Sequence, residues 1–235
     1  RVFDDHVLAH AIPASLGRRV HGRSFDTGQR HGKWLVAPLD KGGAVVFHFG
    51  MTGRLQSHRT SVAAAKHTQV QFGFADGGAL DYVAPRKLGT VTLADSLEAL
   101  VEREELGPDA WEVPFRAFCE RIENRRGTIK GALTNQSVLA GLGNIYADEV
   151  LFQARIHPRA PASHLSDKRL RALFEAMGEV LETAVDARAD PKRLPDSYLL
   201  PRRSRGERCP GCQGTVKRYE VAGRRGYYCP RCQKR

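Results

Sequence analysis

No apolar run in this sequence approaches the ~18 residues that a membrane-spanning helix requires, and the chain opens on Arg1-Val2-Phe3-Asp4 without an apolar leader segment. Cysteine is scarce outside one short stretch. Of five, four lie between Cys209 and Cys232, and the fifth, Cys119, stands alone in a helical segment where it reads as a buried small hydrophobe. That distribution excludes a disulfide framework spread over a secreted fold. Internal repeats and low-complexity tracts are missing too, and an apolar content of 41% argues against a disordered chain. These absences predict a reducing, cytoplasmic setting with no membrane partner. Acidic side chains are outnumbered as well: 26 Asp and Glu face 37 Lys and Arg, for a formal charge of +11. A polyanion is therefore the first partner to consider.

The excess charge is not spread evenly. Residues 192–235 hold 13 Lys or Arg against three acids (Asp196, Glu207, Glu220), a net of +10 that leaves about +1 for the rest of the chain. A solvated surface mixes both signs, whereas a binding surface concentrates one.

The first ninety residues read as β-structure. Trp34–Ala37 and Ala44–Phe49 flank Asp40-Lys41-Gly42-Gly43, and Val70–Phe74 joins Ala79–Val83 through Ala75-Asp76-Gly77-Gly78. These are two hairpins, and short strands at such spacing suggest a sandwich or barrel. After Asp95 the apolar period changes from two to about 3.6. Leu97, Leu100 and Val101, then Phe115, Phe118 and Ile122, each mark one helical face. The longest stripe runs Leu165, Leu170, Leu173, Phe174, Met177, Val180, Leu181, Val185, with Ser163 or Ser166 as cap and Asp190-Pro191 as terminator. It reads as core. The expected organisation is α+β: an N-terminal antiparallel β-sandwich over 1–93, a helical domain over 94–191, and a linker with a zinc hairpin over 192–235.

Cys209-Pro210-Gly211-Cys212 and Cys229-Pro230-Arg231-Cys232 are two Cys-x-x-Cys knuckles with 16 residues between them. Each turns tightly enough to offer two thiolates, and four complete the tetrahedral shell that Zn2+ prefers. A filled shell leaves no open position for water, so the predicted ion, one per chain, is structural. Between the knuckles, residues 215–221 and 226–228 suggest two short strands joined through Ala222-Gly223-Arg224-Arg225. The expectation is a zinc-stapled β-hairpin with an arginine tip, against the plainer reading of a ribbon that only staples the chain end.

Residues 133–152 hold Gly141-Leu142-Gly143-Asn144 between two apolar helical patterns. Glycines here suit exposed backbone amides ahead of a helix start, a natural phosphate seat. A Gly-x-Gly alone is weak, but the whole string closely resembles the helix-two-turn-helix of the formamidopyrimidine-DNA glycosylase and endonuclease VIII family. The resemblance covers nearly the whole chain. Arg30-His31-Gly32-Lys33-Trp34-Leu35 is similar to the family's lysine-bearing hairpin, and His48-Phe49-Gly50-Met51-Thr52-Gly53-Arg54-Leu55 to its methionine loop. Lys66-His67 and Pro85-Arg86-Lys87-Leu88-Gly89 follow in the family's order, and Arg224 precedes Cys229 as in its zinc finger.

The resemblance implies base excision on double-stranded DNA with damaged bases or abasic sites, carried out by a monomer in the cytoplasm at the nucleoid. A proline amine would attack the sugar carbon under the base to give a Schiff base, a neighbouring glutamate would move protons, and β,δ-elimination would cut the strand. By the same resemblance Lys33 and Arg224 are catalytic. His67, Arg86, Arg125, Lys130 and Asn144 are backbone contacts, and Met51, Arg86 and Leu88 fill the gap left by the extruded nucleotide. Methionine after a strand is otherwise a core residue, and Asp148 with Glu149 reads as a capping and dipole pair rather than a catalytic one.

Three departures from the family pattern stand out. The family's opening Pro-Glu-Leu-Pro does not occur among the 235 residues, so the sequence is expected to be a fragment, with a catalytically inactive damaged-DNA-binding paralogue as the alternative. Val83-Ala84 stands where a polar residue usually precedes Pro85. Leu88 replaces an aromatic wedge, though leucine can still enter a base step. A zinc-ribbon regulator with an unrelated body is a third reading, disfavoured by five motifs in order. Oxidised purine is preferred over oxidised pyrimidine on resemblance alone, because the segment around 196–208, expected to shape the base pocket, has no readable pattern.

Overall fold

Both expected N-terminal hairpins form in the computed structural model, which describes residues 1–8, 13–60, 63–221 and 223–234. The chain divides into two compact units, Arg1–Glu104 and Glu105–Arg235.

In the first unit a short helix α1 (Pro13–Val20) precedes seven strands. β1 (Gln29–His31), β2 (Trp34–Pro38), β3 (Ala44–His48) and β7 (Thr90–Ala94) make an antiparallel sheet in the order β1-β2-β3-β7. β4 (Arg54–His58), β5 (Thr68–Gly73) and β6 (Ala79–Val83) make a second in the order β4-β6-β5. The strand period of two sorts β3 between two cores. Val45 and Phe47 point to the second sheet, where they meet Val70, Phe72 and Tyr82. Ala44 and Val46 point the other way, to Val36 and Leu100. This is the expected sandwich, with one sheet also covered on its outer face. The cover is α2 (Leu97–Arg103), started by Ser96, whose hydroxyl accepts from the Ala99 amide at 3.2 Å. Its 3.6-residue period placed it with the helical half, yet Leu97 and Leu100 pack on β-structure and the first unit runs to Glu104.

The second unit contains α3 (Phe115–Glu123), α4 (Ile129–Thr134), α5 (Asn144–Gln153), α6 (Asp167–Asp186) and a hairpin, β8 (Lys217–Val221) with β9 (Arg224–Tyr228). Leu170, Leu173, Met177 and Val180 of α6 are buried against Phe118, Ile122, Ile129, Leu133 and Leu151. Burial of each such side chain contributes about 1.5–3 kcal/mol. The stripe ends sooner than its pattern predicts: Val185, in the last turn, is 63% exposed because no element covers it. Cys119 is likewise only half-buried, at the edge of this core rather than inside it. Among the described residues no helix is long and apolar enough to cross a membrane.

Candidate nucleic-acid interface and metal centre

The four knuckle cysteines converge. Their sulfurs all lie within 4.8 Å of one another, with Cys209–Cys232 at 3.6 Å and Cys212–Cys229 at 3.5 Å. A Zn–S bond of about 2.3 Å implies a tetrahedral edge of about 3.8 Å, so the set fits Zn2+. In each knuckle a backbone turn closes the loop: the Gln213 amide donates to the Cys209 carbonyl and the Gln233 amide to the Cys229 carbonyl, both at 2.9 Å. Phe152, Leu199 and Val216 pack around the buried Cys209 and Cys229, while Cys212 and Cys232 stay partly exposed. The ion held here is a structural Zn2+.

The hairpin between the knuckles is longer than its sequence suggests. Val221 pairs with Arg224 and Glu220 with Arg225, so both arginines are exposed strand residues rather than turn residues. Gly223 lies in the turn, and Ala222 lies outside the described residues. Cross-strand pairing satisfies the backbone out to Arg224, which gains more than a four-residue turn.

Between α4 and α5 the chain makes a turn stapled by Gln136. Its side-chain amide donates to the carbonyls of Thr134 (3.2 Å) and Leu142 (3.0 Å), and its oxygen accepts from the Gly141 amide (3.1 Å). α5 then begins at Asn144 behind Gly143, with no side-chain cap and no acid in its first turn. The positive end of its dipole is left uncompensated. The hairpin comes to this helix start: Asn144 Nδ2 donates to the Arg225 carbonyl at 2.8 Å, and Arg224 Nη1 reaches the Thr134 carbonyl at 3.4 Å. Arg125, just past the end of α3, is half-exposed.

Lys130 is not a surface side chain. It is 2% exposed, and its ammonium donates to Asp148 Oδ1 at 2.6 Å and to the Asn144 carbonyl at 2.5 Å. Burial drives its pKa down to about 8 while Asp148 opposes the shift. Two of the three ammonium donors are thus taken inside the protein. Asp148 and Glu149 do not cap their own helix, α5. Both are buried, in a helix whose residues 147–152 are buried without a break. Glu149 accepts from the backbone amides of Leu199 (3.1 Å) and Leu200 (2.7 Å), and burial pushes its carboxyl up. The readable signal was two acids beside Val150-Leu151-Phe152, where acids persist only with partners.

In the first unit Met51, Arg86 and Leu88 come together on one surface. Met51 is 70% exposed and Leu88 53%. Methionine is thus not core here. Arg86 Nη1 lies 3.5 Å from Met51 Sδ. Gly50 makes the approach possible: its φ is +58°, and a Cβ there would stand 2.6 Å from the Leu88 backbone. Lys33, half-buried, lies with Gly32 in the turn between β1 and β2. The Trp34 ring packs on His48 at 4.8 Å between centroids. Burial, then the nearby Lys33 charge, lowers the His48 pKa. His67 is exposed at φ +68°, held there by Ala84 and Gln69, which both donate to its carbonyl.

Three family models match the chain: the formamidopyrimidine-DNA glycosylase N-terminal domain over residues 1–91, the H2TH domain of the same family over 106–194, and the zinc finger found in FPG and IleRS over 206–235. A formamidopyrimidine-DNA glycosylase of Solibacter usitatus is 35% identical over 240 residues, spanning 97% of this chain and 88% of the relative. That of Geobacillus kaustophilus is 33% identical, spanning 100% and 90%. Among solved structures, the Lactococcus lactis Fpg complex with a FAPY-dG containing DNA aligns with a TM-score of 0.87 at 26% identity, over 100% of this chain and 91% of that one. The Lactococcus lactis Fpg complex with an abasic site containing DNA gives 0.85 at 26% over the same shares.

Proposed function

The chain belongs to the formamidopyrimidine-DNA glycosylase family, and from that premise we propose that it excises oxidised purines from duplex DNA and cleaves the strand at the resulting abasic site. The observation that carries the reading is the meeting of an uncapped helix start, Asn144 and the zinc-stapled arginine hairpin in one compact unit. A helix N-terminus beside exposed guanidinium groups is built for phosphate.

Residue by residue, Lys33 works at the lesion and assists elimination, and Arg224 serves the lesion's phosphate. His67, Arg86, Arg125 and Asn144 hold the backbone. Met51, Arg86 and Leu88 fill the space of an extruded nucleotide, for which two exposed apolar side chains braced by an arginine are well suited. Lys130 acts indirectly, by holding the Asn144 carbonyl. The working place of such a protein is the cytoplasm, at the nucleoid.

Phosphate contacts position a duplex without reading its sequence. With four strong cations engaged (Lys33, Arg86, Arg125, Arg224), log K should fall against log salt with a slope of about −3 to −4, or about a hundredfold between 50 and 200 mM. Fluorescence anisotropy on an abasic-analogue duplex measures it, and a flat dependence or strong preference for one undamaged sequence would count against the reading. Activity is tested on the full product of the gene by borohydride trapping on duplexes carrying a formamidopyrimidine or an abasic site, since reduction freezes a Schiff base as a covalent adduct. Trapping with strand cleavage is expected. Tight lesion binding without trapping would make the protein a damaged-DNA binder instead.

A further inference from the structure

We propose that Asp148 is a positioning residue for strand cleavage: its buried carboxylate locks the zinc hairpin, and with it Arg224, onto the helix start of α5. The proposal rests on the reading of this chain as a glycosylase and lyase given above.

Asp148 is 1% exposed and collects donors from four segments. Oδ1 accepts from Lys130 Nζ of α4 at 2.6 Å and from the Tyr219 hydroxyl of β8 at 2.5 Å. Oδ2 accepts from Arg203 of the linker, through Nε at 2.9 Å and Nη2 at 2.7 Å, and from the Tyr227 amide of β9 at 3.1 Å. A buried ionic cluster of this kind is a poor source of stability, because desolvation offsets much of the attraction. What it supplies is direction, since each donor fixes one segment at one angle.

The direction matters because of where β9 is gripped. Its Tyr227 amide is held by Asp148 itself. Two residues earlier, the Arg225 carbonyl accepts from Asn144 Nδ2 at 2.8 Å and lies 3.5 Å from Arg203 Nη2, and Arg203 is in turn aimed by Asp148. Arg224 is the next residue. Tyr219 pairs across the hairpin with Gly226, and a Cβ at 226 would stand 2.6 Å from Tyr219 Cε1, so only glycine lets the ring pass on its way to Asp148. Zinc secures the base of the hairpin at Cys229, while Asp148 secures the arm. With the arm loose, the strand can pivot on the knuckle and carry Arg224 away from the phosphate it serves.

The test is a double-mutant cycle on the zinc-loaded gene product, with Asp148→Asn, Arg224→Ala and the pair. Single-turnover cleavage of a preformed abasic duplex is followed at saturating enzyme, alongside zinc content and the Kd for a tetrahydrofuran duplex. Asp148→Asn should retain zinc and slow cleavage by about a hundredfold, the scale of an ångström-sized misplacement. The double variant should be no slower than Arg224→Ala beyond about twofold. A general loss of fold would lower the active fraction and leave the rate of the remainder intact. An unchanged rate in Asp148→Asn, or an equal slowing in both Arg224 backgrounds, overturns the proposal. Should Asp148→Asn lose zinc, Tyr219→Phe removes a single contact and must show the same non-additive slowing, in smaller measure; an unchanged or additive rate there overturns it. A wild-type gene product that leaves the abasic duplex intact overturns both the reading and the proposal, whereas an active wild type with an indifferent Asp148 overturns the proposal alone.

Discussion

Replacing Cys212 by serine, or stripping the metal with a chelator, should abolish tight binding to lesion-bearing duplex while leaving the first unit folded. The four sulfurs sit at separations that fit a tetrahedral shell, and they tie the two ends of the hairpin together. The module buries Cys209, Val216 and Cys229 in a small apolar cluster against Phe152 and Leu199. Binding of structural zinc by such modules is worth on the order of 10 kcal/mol and is coupled to folding. Without the ion the knuckles open, β8 and β9 separate, and the hold on Asn144 and Arg224 is lost. Two charge-assisted contacts at about 1.5–3 kcal/mol each amount to a loss of about a hundredfold or more in affinity. Metal analysis should find about one equivalent of zinc in the wild type and far less in Cys212→Ser. A variant that binds DNA with unchanged affinity would show that the hairpin is not part of the interface.

The second large effect should come from Lys33. An amine placed to assist elimination contributes about 10²–10⁴-fold when it moves protons in the transition state, whereas a phosphate contact at the surface contributes far less. Lys33→Ala should therefore slow single-turnover cleavage by about 10²-fold or more and weaken lesion binding by less than about tenfold. Lys33 is half-buried in the β1–β2 turn, beside the Trp34–His48 contact. Lys33→Arg keeps the charge but not the titratable amine. It should restore affinity and leave the rate low; full recovery of the rate would reduce Lys33 to a phosphate contact.

Much of this was readable along the chain because the signals are local. Period-two alternation around glycine turns gave both hairpins of the sandwich, and Cys-x-x-Cys pairs gave the metal ligands, since a knuckle is closed by its own four residues. The position of α2 was not readable. Its amphipathic period says that one face is buried but carries no information on whether helix or sheet covers it. Lys130 shows the same limit in chemistry. A lysine in a basic, phosphate-seeking motif reads as a surface contact, yet Asp148, eighteen residues further on, draws it inside.

The residues 148 and 149 mark the boundary most sharply. Residue types and spacing by themselves determined the family, the zinc ligands, the α+β order and the concentration of positive charge, because those depend on neighbours a few residues apart. Only the tertiary structure decided that Asp148 gathers Lys130, Arg203, Tyr219 and Tyr227, and that Glu149 anchors the linker at Leu199 and Leu200. A buried carboxylate must find donors wherever folding brings them, and here they come from 18 to 79 residues away.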